Sequence, residues 1–452
     1  MKILDFLKGA LNRMFGKSDI KSALHIDTAI STDMQTAIDI WADMYSADNN
    51  YDLKLPVAIS SEFARLVMAE SKFSVSGSDE ISTQFNEFIK NLRSQMGIAC
   101  AFGGMVFKPY LTEKGLKVNL IPANRFYPVS FDSDGNITSA VFVDIQTIGE
   151  YYYTRLEYHK LEKSQYTVIN KCYKSLNSSY LGIPCNLSEV DNWSTLEETQ
   201  TIINVDKPLF AYFKVPLSNN IDDTSPLGVS VYAQAVKLIK QAEEMWERIL
   251  WEYEAKETAI DVSIDLFKLE KNKPKLPRGK ERLFRTYQAN PDGEFFFKEF
   301  SPEIRDSSLF NGFNKILQRI EFSVGLAYGT LSEPSEIEKT ATEILTSKQR
   351  SYVFVSEIQQ SLETALEDLV YALNVYSSIE KSTLGDIKLT CNFGDSVLED
   401  TEKEFQRRLQ MVSAGLLTKE KFISWYFNCD EKEASTYIPQ ITTTFEGVNH
   451  EF

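Results

Sequence analysis

Lys268, Lys271, Lys273, Lys275, Arg278, Lys280, Arg282 and Arg285 fall within residues 268–285, where the only acids are Glu270 and Glu281. The chemistry open to such a run is attraction, either to an acidic partner surface or to phosphate oxygens irrespective of base sequence. A solvated loop is the plainer reading of any charge run. The chain as a whole leans the other way, with 48 Lys and Arg against 64 Asp and Glu and a formal net charge of −16. That balance argues against a simple nucleic-acid coat, which needs a basic face. It is compatible with a wall along which a polyanion slides without sticking.

Catalytic constellations are missing from the sequence. There is no GxxxxGK[ST] phosphate loop, no HExxH, no GxSxG and no local Cys–His pairing. "FDSDGNIT" has the wrong glycine position for a calcium loop, so Asp132 and Asp134 read as a hairpin turn. Asp261 and Asp265 lack a second carboxylate cluster with which to hold Mg²⁺. His25, His159 and His450 are dispersed. Cys100, Cys172, Cys185, Cys391 and Cys429 show no CxxC spacing and read as reduced thiols, not a disulfide framework. No catalytic residue, metal or cofactor is therefore expected.

The elements around the basic run give it a setting. Residues 31–46 read as a helix capped by Ser31 or Thr32, and "LPVAISSEFARLVMAES" as a second with Pro56 in its first turn. A short strand, "KFSVSG", precedes a helix that ends near Gly103–Gly104. From about 105 to 175, alternating β-branched and aromatic residues predict six strands, and "KPLFAYFKVPL" another. A long helix is then predicted over Val229–Thr258, with Tyr232, Ala235, Ile239, Ala242, Trp246, Ile249 and Tyr253 as an apolar seam flanked by glutamates 243, 244, 247, 252, 254 and 257. A second, over Ser307–Leu326, carries Leu309, Phe313, Ile316, Ile320 and Val324. The basic run thus sits between two helices expected to return antiparallel. A Gly- and Pro-containing break, "AYGTLSEPSEIEKT", leads to some 35 helical residues, then a strand in "DIKLTCNF", two short helices and a polar tail.

No apolar stretch approaches the ~18 residues that span a bilayer. The first 17 residues form an amphipathic stripe of Ile3, Leu4, Leu7, Leu11, Met14 and Phe15, which favours docking on protein over lying on a membrane.

Several stretches together resemble a known family: "SPLGVSVYAQAVKLIKQAEEMWERILWEYE", "LPRGKERLFR", "FSPEIRDSSLFNGFNKILQRIEFSVGLAYGTLSE" and "EKTATEILTSKQRSYVFVSEIQQSLETALEDLVYAL". "IPANRFYPVSFDSDGNITSAVF" and "YYYTRLEYH" add to them. They look like the portal proteins of tailed bacteriophages, specifically the group of long-tailed phages of Gram-positive hosts. The resemblance covers most of residues 30–400 and weakens at both termini.

The resemblance implies an α+β portal fold with a mixed α/β wing, a two-helix stem, a small clip, a long spine helix and a helical crown. On that layout residues 1–30 are an N-terminal amphipathic segment, 31–227 the first part of the wing, 228–258 and 307–327 the stem helices, and 259–306 the clip between them. Residues 328–340 match the tunnel loop, 341–400 the spine helix and the rest of the wing, and 401–452 the crown and tail. Implied with it are a ring of about twelve subunits at one capsid vertex, non-specific passage of double-stranded DNA, and a motor ATPase in a separate terminase large subunit. A head-completion adaptor and the major capsid and scaffolding proteins are further implied partners, with assembly in the host cytoplasm and no stable membrane association. Ser332, Glu333, Pro334, Ser335, Glu336, Glu338 and Lys339 would collar DNA in the tunnel loop. Tyr232, Ile239, Trp246, Ile249, Tyr253, Phe313, Ile316 and Ile320 would pack the stem. The eight basic residues would lie in the clip, meeting acidic partners, passing phosphates or the acids of an adjacent subunit. A peripheral membrane protein anchored by the N-terminal helix is the alternative, and a DNA-processing nuclease a third reading.

Overall fold

The structure, a computed structural model, describes residues 15, 17–46, 52–112, 115–256, 259–263, 269–270, 273–274, 284–287, 297–300, 303, 305–333, 341–379, 385–394, 401–427 and 431–438. The chain divides into two compact units, Met1–Phe393 and Gly394–Phe452.

Helix α1 (Lys17–Leu24) is short, and α2 (Thr32–Tyr45) starts where the Ser31 hydroxyl accepts the Met34 N–H at 3.1 Å, the expected N-cap. Helix α3 (Leu55–Met68) carries Pro56 in its first turn. Strand β1 (Lys72–Ser76) leads to α4 (Asp79–Phe102), capped by Ser78 and ended by Gly103 at φ +81°. Strands β2 (Gly104–Thr112), β3 (Gly115–Pro122), β4 (Phe126–Phe131), β5 (Ile137–Ile148), β6 (Tyr151–Glu162) and β7 (Gln165–Ser175) are the six expected from alternation. Asp132 forms the predicted turn, its carboxylate accepting the N–H groups of Asp134 and Asn136. The shorter β8 (Ile183–Cys185) and β9 (Thr199–Ile203) were not legible; β10 (Ala211–Lys214) was.

The expected helix over 229–258 is shorter. Helix α5 spans Val236–Ala255 after a single 3-10 turn, Ala233–Ala235. The reason is a non-local tie. The Val231 N–H donates to the Cys100 carbonyl at 3.1 Å and the Val215 N–H to the Gly103 carbonyl at 3.0 Å, satisfying the end of α4. Gly103 and Gly228 pass so closely that a Cβ on Gly228 would lie 2.0 Å from the Gly103 oxygen. Residues 228–231 are therefore spent on this crossing and cannot wind into α5.

Strands β11 (Ala259–Ser263), β12 (Leu269–Glu270), β13 (Lys273–Pro274), β14 (Phe284–Tyr287) and β15 (Phe297–Phe300) follow, then α6 (Asp306–Val324), α7 (Ala341–Ser378) and β16 (Lys388–Asn392). Strands β4–β8 form one antiparallel sheet in sequence order, with β9 also on β7. A second sheet has the order β10-β2-β3, and β1 pairs with β16 across more than 300 residues of sequence.

One core joins these pieces, with Trp41, Phe63, Phe85, Phe107, Phe126, Phe142 and Phe213 buried in it. Helix α7 supplies Ile358, Leu362, Leu366, Leu369 and Leu373, all fully buried. The neighbours of this 38-residue helix include α3, α4, β2, β10 and β16. Of the N-terminal stripe, Phe15 is buried in this core and its carbonyl accepts from Gln35 and from the Tyr127 hydroxyl. Residues 1–14 lie outside the described residues.

The second unit holds α8 (Thr401–Ser413), α9 (Lys419–Phe427) and α10 (Glu431–Thr436). Phe405 meets Phe422 and Tyr426 with ring centres 5.4 and 5.3 Å away, and the Arg408 guanidinium sits 4.4 Å from the Trp425 ring. Helix α10 occupies what reads in sequence as part of a polar tail. Among the described residues no helix is long and apolar enough to cross a membrane.

Candidate functional site

Helices α5 and α6 run antiparallel. At one end Arg305, before α6, donates Nε and Nη2 to the two oxygens of Glu252, late in α5, at 3.1 and 3.0 Å. Farther along, the rings of Trp246 and Phe313 lie 5.7 Å apart. Ile239, Ala242 and Ile249 are buried on α5, and Phe313, Leu317, Ile320 and Val324 on α6. Ile316 and Trp246 are partly buried against the same core. Tyr232 is fully buried too, but in the turn ahead of α5, where its hydroxyl donates to the Trp41 carbonyl at 2.8 Å. Tyr253 is 39 % exposed, beside Leu250 at 44 % and Trp251 at 64 %.

The acidic flank of α5 splits. Glu243 is buried and accepts the N–H groups of Asp52 and Leu53 at 3.1 and 3.2 Å, tying the segment ahead of α3 to α5 across nearly 200 residues of sequence. Burial raises its pKa. Glu252 is held down at about 2 by hydrogen bonds from Arg305 and Lys256. Glu244, Glu247 and Glu254 face solvent, and Glu257 lies outside the described residues.

Beyond α5, β11 sits between β14, parallel to it, and β15, antiparallel. Asp261 and Arg285 are direct cross-strand partners. The Arg285 Nε and Nη2 donate to the two Asp261 oxygens at 2.7 and 2.9 Å, and the guanidinium stacks 4.1 Å from the Phe300 ring. Arg285 is thus committed to its own sheet. Lys273 is placed by backbone only, opposite Glu270 in the β12–β13 pair. Lys268, Lys271, Lys275, Arg278, Lys280 and Arg282 lie outside the described residues.

The segment after α6 is held by a residue that the sequence reading passed over. Glu321 is completely buried. Its carboxylate accepts the N–H groups of Leu331, Ser332 and Gly329 at 2.6, 2.8 and 3.3 Å, and the Ser332 hydroxyl at 2.8 Å. Four neutral donors converge on one anion, which fixes residues 329–332 against the helix. The Glu333 N–H donates to Asn314 at 2.9 Å, and Ser351 of α7 donates to the Gly325 carbonyl at 3.0 Å. Of the predicted loop contacts, Ser332 is therefore a buried anchor and Glu333 is exposed. Pro334, Ser335, Glu336, Glu338 and Lys339 lie outside the described residues. Glu321 was detectable in principle, because it places a charge on the apolar stripe between Leu317, Ile320 and Val324.

Elsewhere, a buried ionic group crosses the sheets. Glu157 accepts from Lys108 and from Arg155, and bonds His159 Nε2 at 2.8 Å, while His159 Nδ1 bonds the Tyr166 hydroxyl at 2.6 Å. Among the described residues no cluster of three or more His, Cys, Asp or Glu has metal-ligand geometry.

An antiparallel helix pair thus brackets a small sheet, and a pinned loop and a long helix follow it. The model of the family described as phage portal protein, SPP1 Gp6-like, matches residues 31–440, most of the chain, and the chain belongs to this family. It is a phage portal protein, a component of the virion capsid that serves genome packaging, in a structural, non-enzymatic family. No curated protein matches the chain significantly.

Proposed function

We propose that this chain is one subunit of a closed ring of about twelve copies, set at a single capsid vertex, through which double-stranded DNA enters during packaging and leaves at ejection. The family match over residues 31–440 carries this reading. The α5–α6 pair serves as the stem, residues 259–306 as the clip, residues 328–340 as the tunnel loop and residues 401–452 as the crown. The clip docks the terminase large subunit, which supplies ATP hydrolysis, and later a head-completion adaptor. Capsid and scaffolding proteins meet the wing, and assembly takes place in the host cytoplasm.

The exposed Glu244, Glu247 and Glu254 suit a bore that repels phosphates and lets DNA slide. The antiparallel stem with exposed Leu250, Trp251 and Tyr253 suits a subunit that completes its burial against copies of itself. Light scattering behind a sizing column, with negative-stain imaging, tests the ring. A particle of about twelve copies with a central hole is expected. A compact dimer with no hole would overturn the conduit reading. Flotation with liposomes and incubation of plasmid with divalent metal test the other two readings; the chain is expected to stay unfloated and the plasmid uncut.

A further inference from the structure

Two of the dispersed cysteines are not apart in space. Cys172 on β7 and Cys185 on β8 are register partners in adjacent antiparallel strands. Both are free thiols, and the Cys185 Sγ–H donates to the Cys172 Sγ at 3.0 Å. That is inside van der Waals contact, and closing to a bond of about 2.05 Å asks for a movement of roughly 1 Å. No other described cysteine has this arrangement: Cys100 is buried in the main core, and Cys391 on β16 faces Phe73.

The pair lies under a lobe with its own small core, in which Cys172 packs with Tyr153, Leu187, Val190 and Trp193. That lobe is tied to the sheet by short and mostly polar contacts, among them Lys174 to Glu189 at 3.4 Å and Asn192 to Gln146 at 3.2 Å. Strand β8 has three residues, the Trp193 indole donates to Asp144 at 3.2 Å, and Asn186 and Glu189 cap one 3-10 turn. Cys185 is partly exposed, which leaves one sulfur reachable from solvent.

We propose that Cys172 and Cys185 form a covalent modification site, closing to a disulfide that staples this lobe to the sheet under the oxidising conditions a virion meets outside a cell. The oxidant is a small disulfide of the glutathione type. The Cys185 thiolate attacks one of its sulfurs and releases the first thiol. Cys172 then loses its proton to solvent and displaces the second, so two protein thiols become one disulfide and one small disulfide becomes two thiols. Burial pushes the Cys172 thiol up to about 12 and raises Cys185 as well, so both are protonated at neutral pH and the closure is slow. A slow closure spares the pair during assembly and completes in the long-lived particle.

The test uses the purified full chain, held for hours in oxidised glutathione, then alkylated and mapped by peptide mass. The expected result is a peptide pair linked through Cys172 and Cys185, about 2 Da lighter than its reduced parts. A melting temperature raised by a few degrees and returned by reductant accompanies it. Cys172→Ser alters a buried site and risks the lobe itself, so Cys185→Ser, at the partly exposed position, is the control and is expected to show neither effect. Alkyl label on both cysteines, after a treatment that fully oxidises a reference dithiol, would overturn the proposal. Accumulation of a glutathione adduct on Cys185 without progress to the linked pair would do the same.

Discussion

Glu321 shows how much one side chain can settle locally. Removing its carboxylate strands three backbone donors and a hydroxyl in a dry site, at a cost of at least about 3 kcal/mol. Glu321→Ala is therefore expected to lower the urea midpoint and to open residues 326–333 to limited proteolysis. An unchanged midpoint with unchanged cleavage would remove Glu321 as the anchor. Arg285 offers a different test, because its fork is already filled by Asp261. Arg285→Lys is expected to cost about 1 kcal/mol through loss of the two-point contact. Arg285→Gln, which removes the charge, should leave the salt dependence of DNA binding unaltered, since a guanidinium bound to its own sheet contributes nothing to the slope. A slope shallower by about one unit would place that side chain on phosphate.

At the level of elements, the large sheet carries a titration. His159 is buried, and desolvation lowers its pKa below the ordinary value of about 6.5. It stays neutral in the fold while the unfolded chain takes up a proton below that value, so stability falls as pH drops from about 6.5 through the folded value. Burial alone would raise Glu157, but Lys108 and Arg155 hold it well below the usual carboxylate range. Its contribution is present above about 4.5 and is lost as pH falls through its folded value. Urea midpoints between pH 7.5 and 5.5 are expected to decline, by up to about 1.4 kcal/mol per pH unit for the histidine proton. His159→Gln should flatten that decline, and an equally steep decline in the variant would assign it elsewhere. Elements of this kind were legible where local pattern decides, as in β2–β7 with their alternating residues and α4 with Ser78 and Gly103 at its ends. They were illegible where distant atoms decide. The start of α5 is set by Val231 reaching Cys100, the segment ahead of α3 is held by Glu243, and the short β8 and β9 exist only as partners of β7. The helix pair was visible in the same way, whereas the anchoring role of Glu321 depends on a return of the chain that no periodicity encodes.

For the whole molecule, the ring proposal makes Trp251 informative. It is 64 % exposed on a helix whose other face is fully engaged, so Trp251→Ala should change the melting of the isolated subunit little, by about 0.5 kcal/mol or less. The same variant is expected to shift the sizing profile away from rings, and wild-type ring yield would take this side chain out of the subunit contact. The pairing of β1 with β16 has a consequence for synthesis. Residues 72–76 leave the ribosome long before residues 388–392 exist, so for most of translation β1 waits with the edge that β16 will pair left open. The first unit cannot close until nearly seven-eighths of the chain has been made, and a chain cut short before Lys388 would emerge with that edge permanently available to other nascent chains.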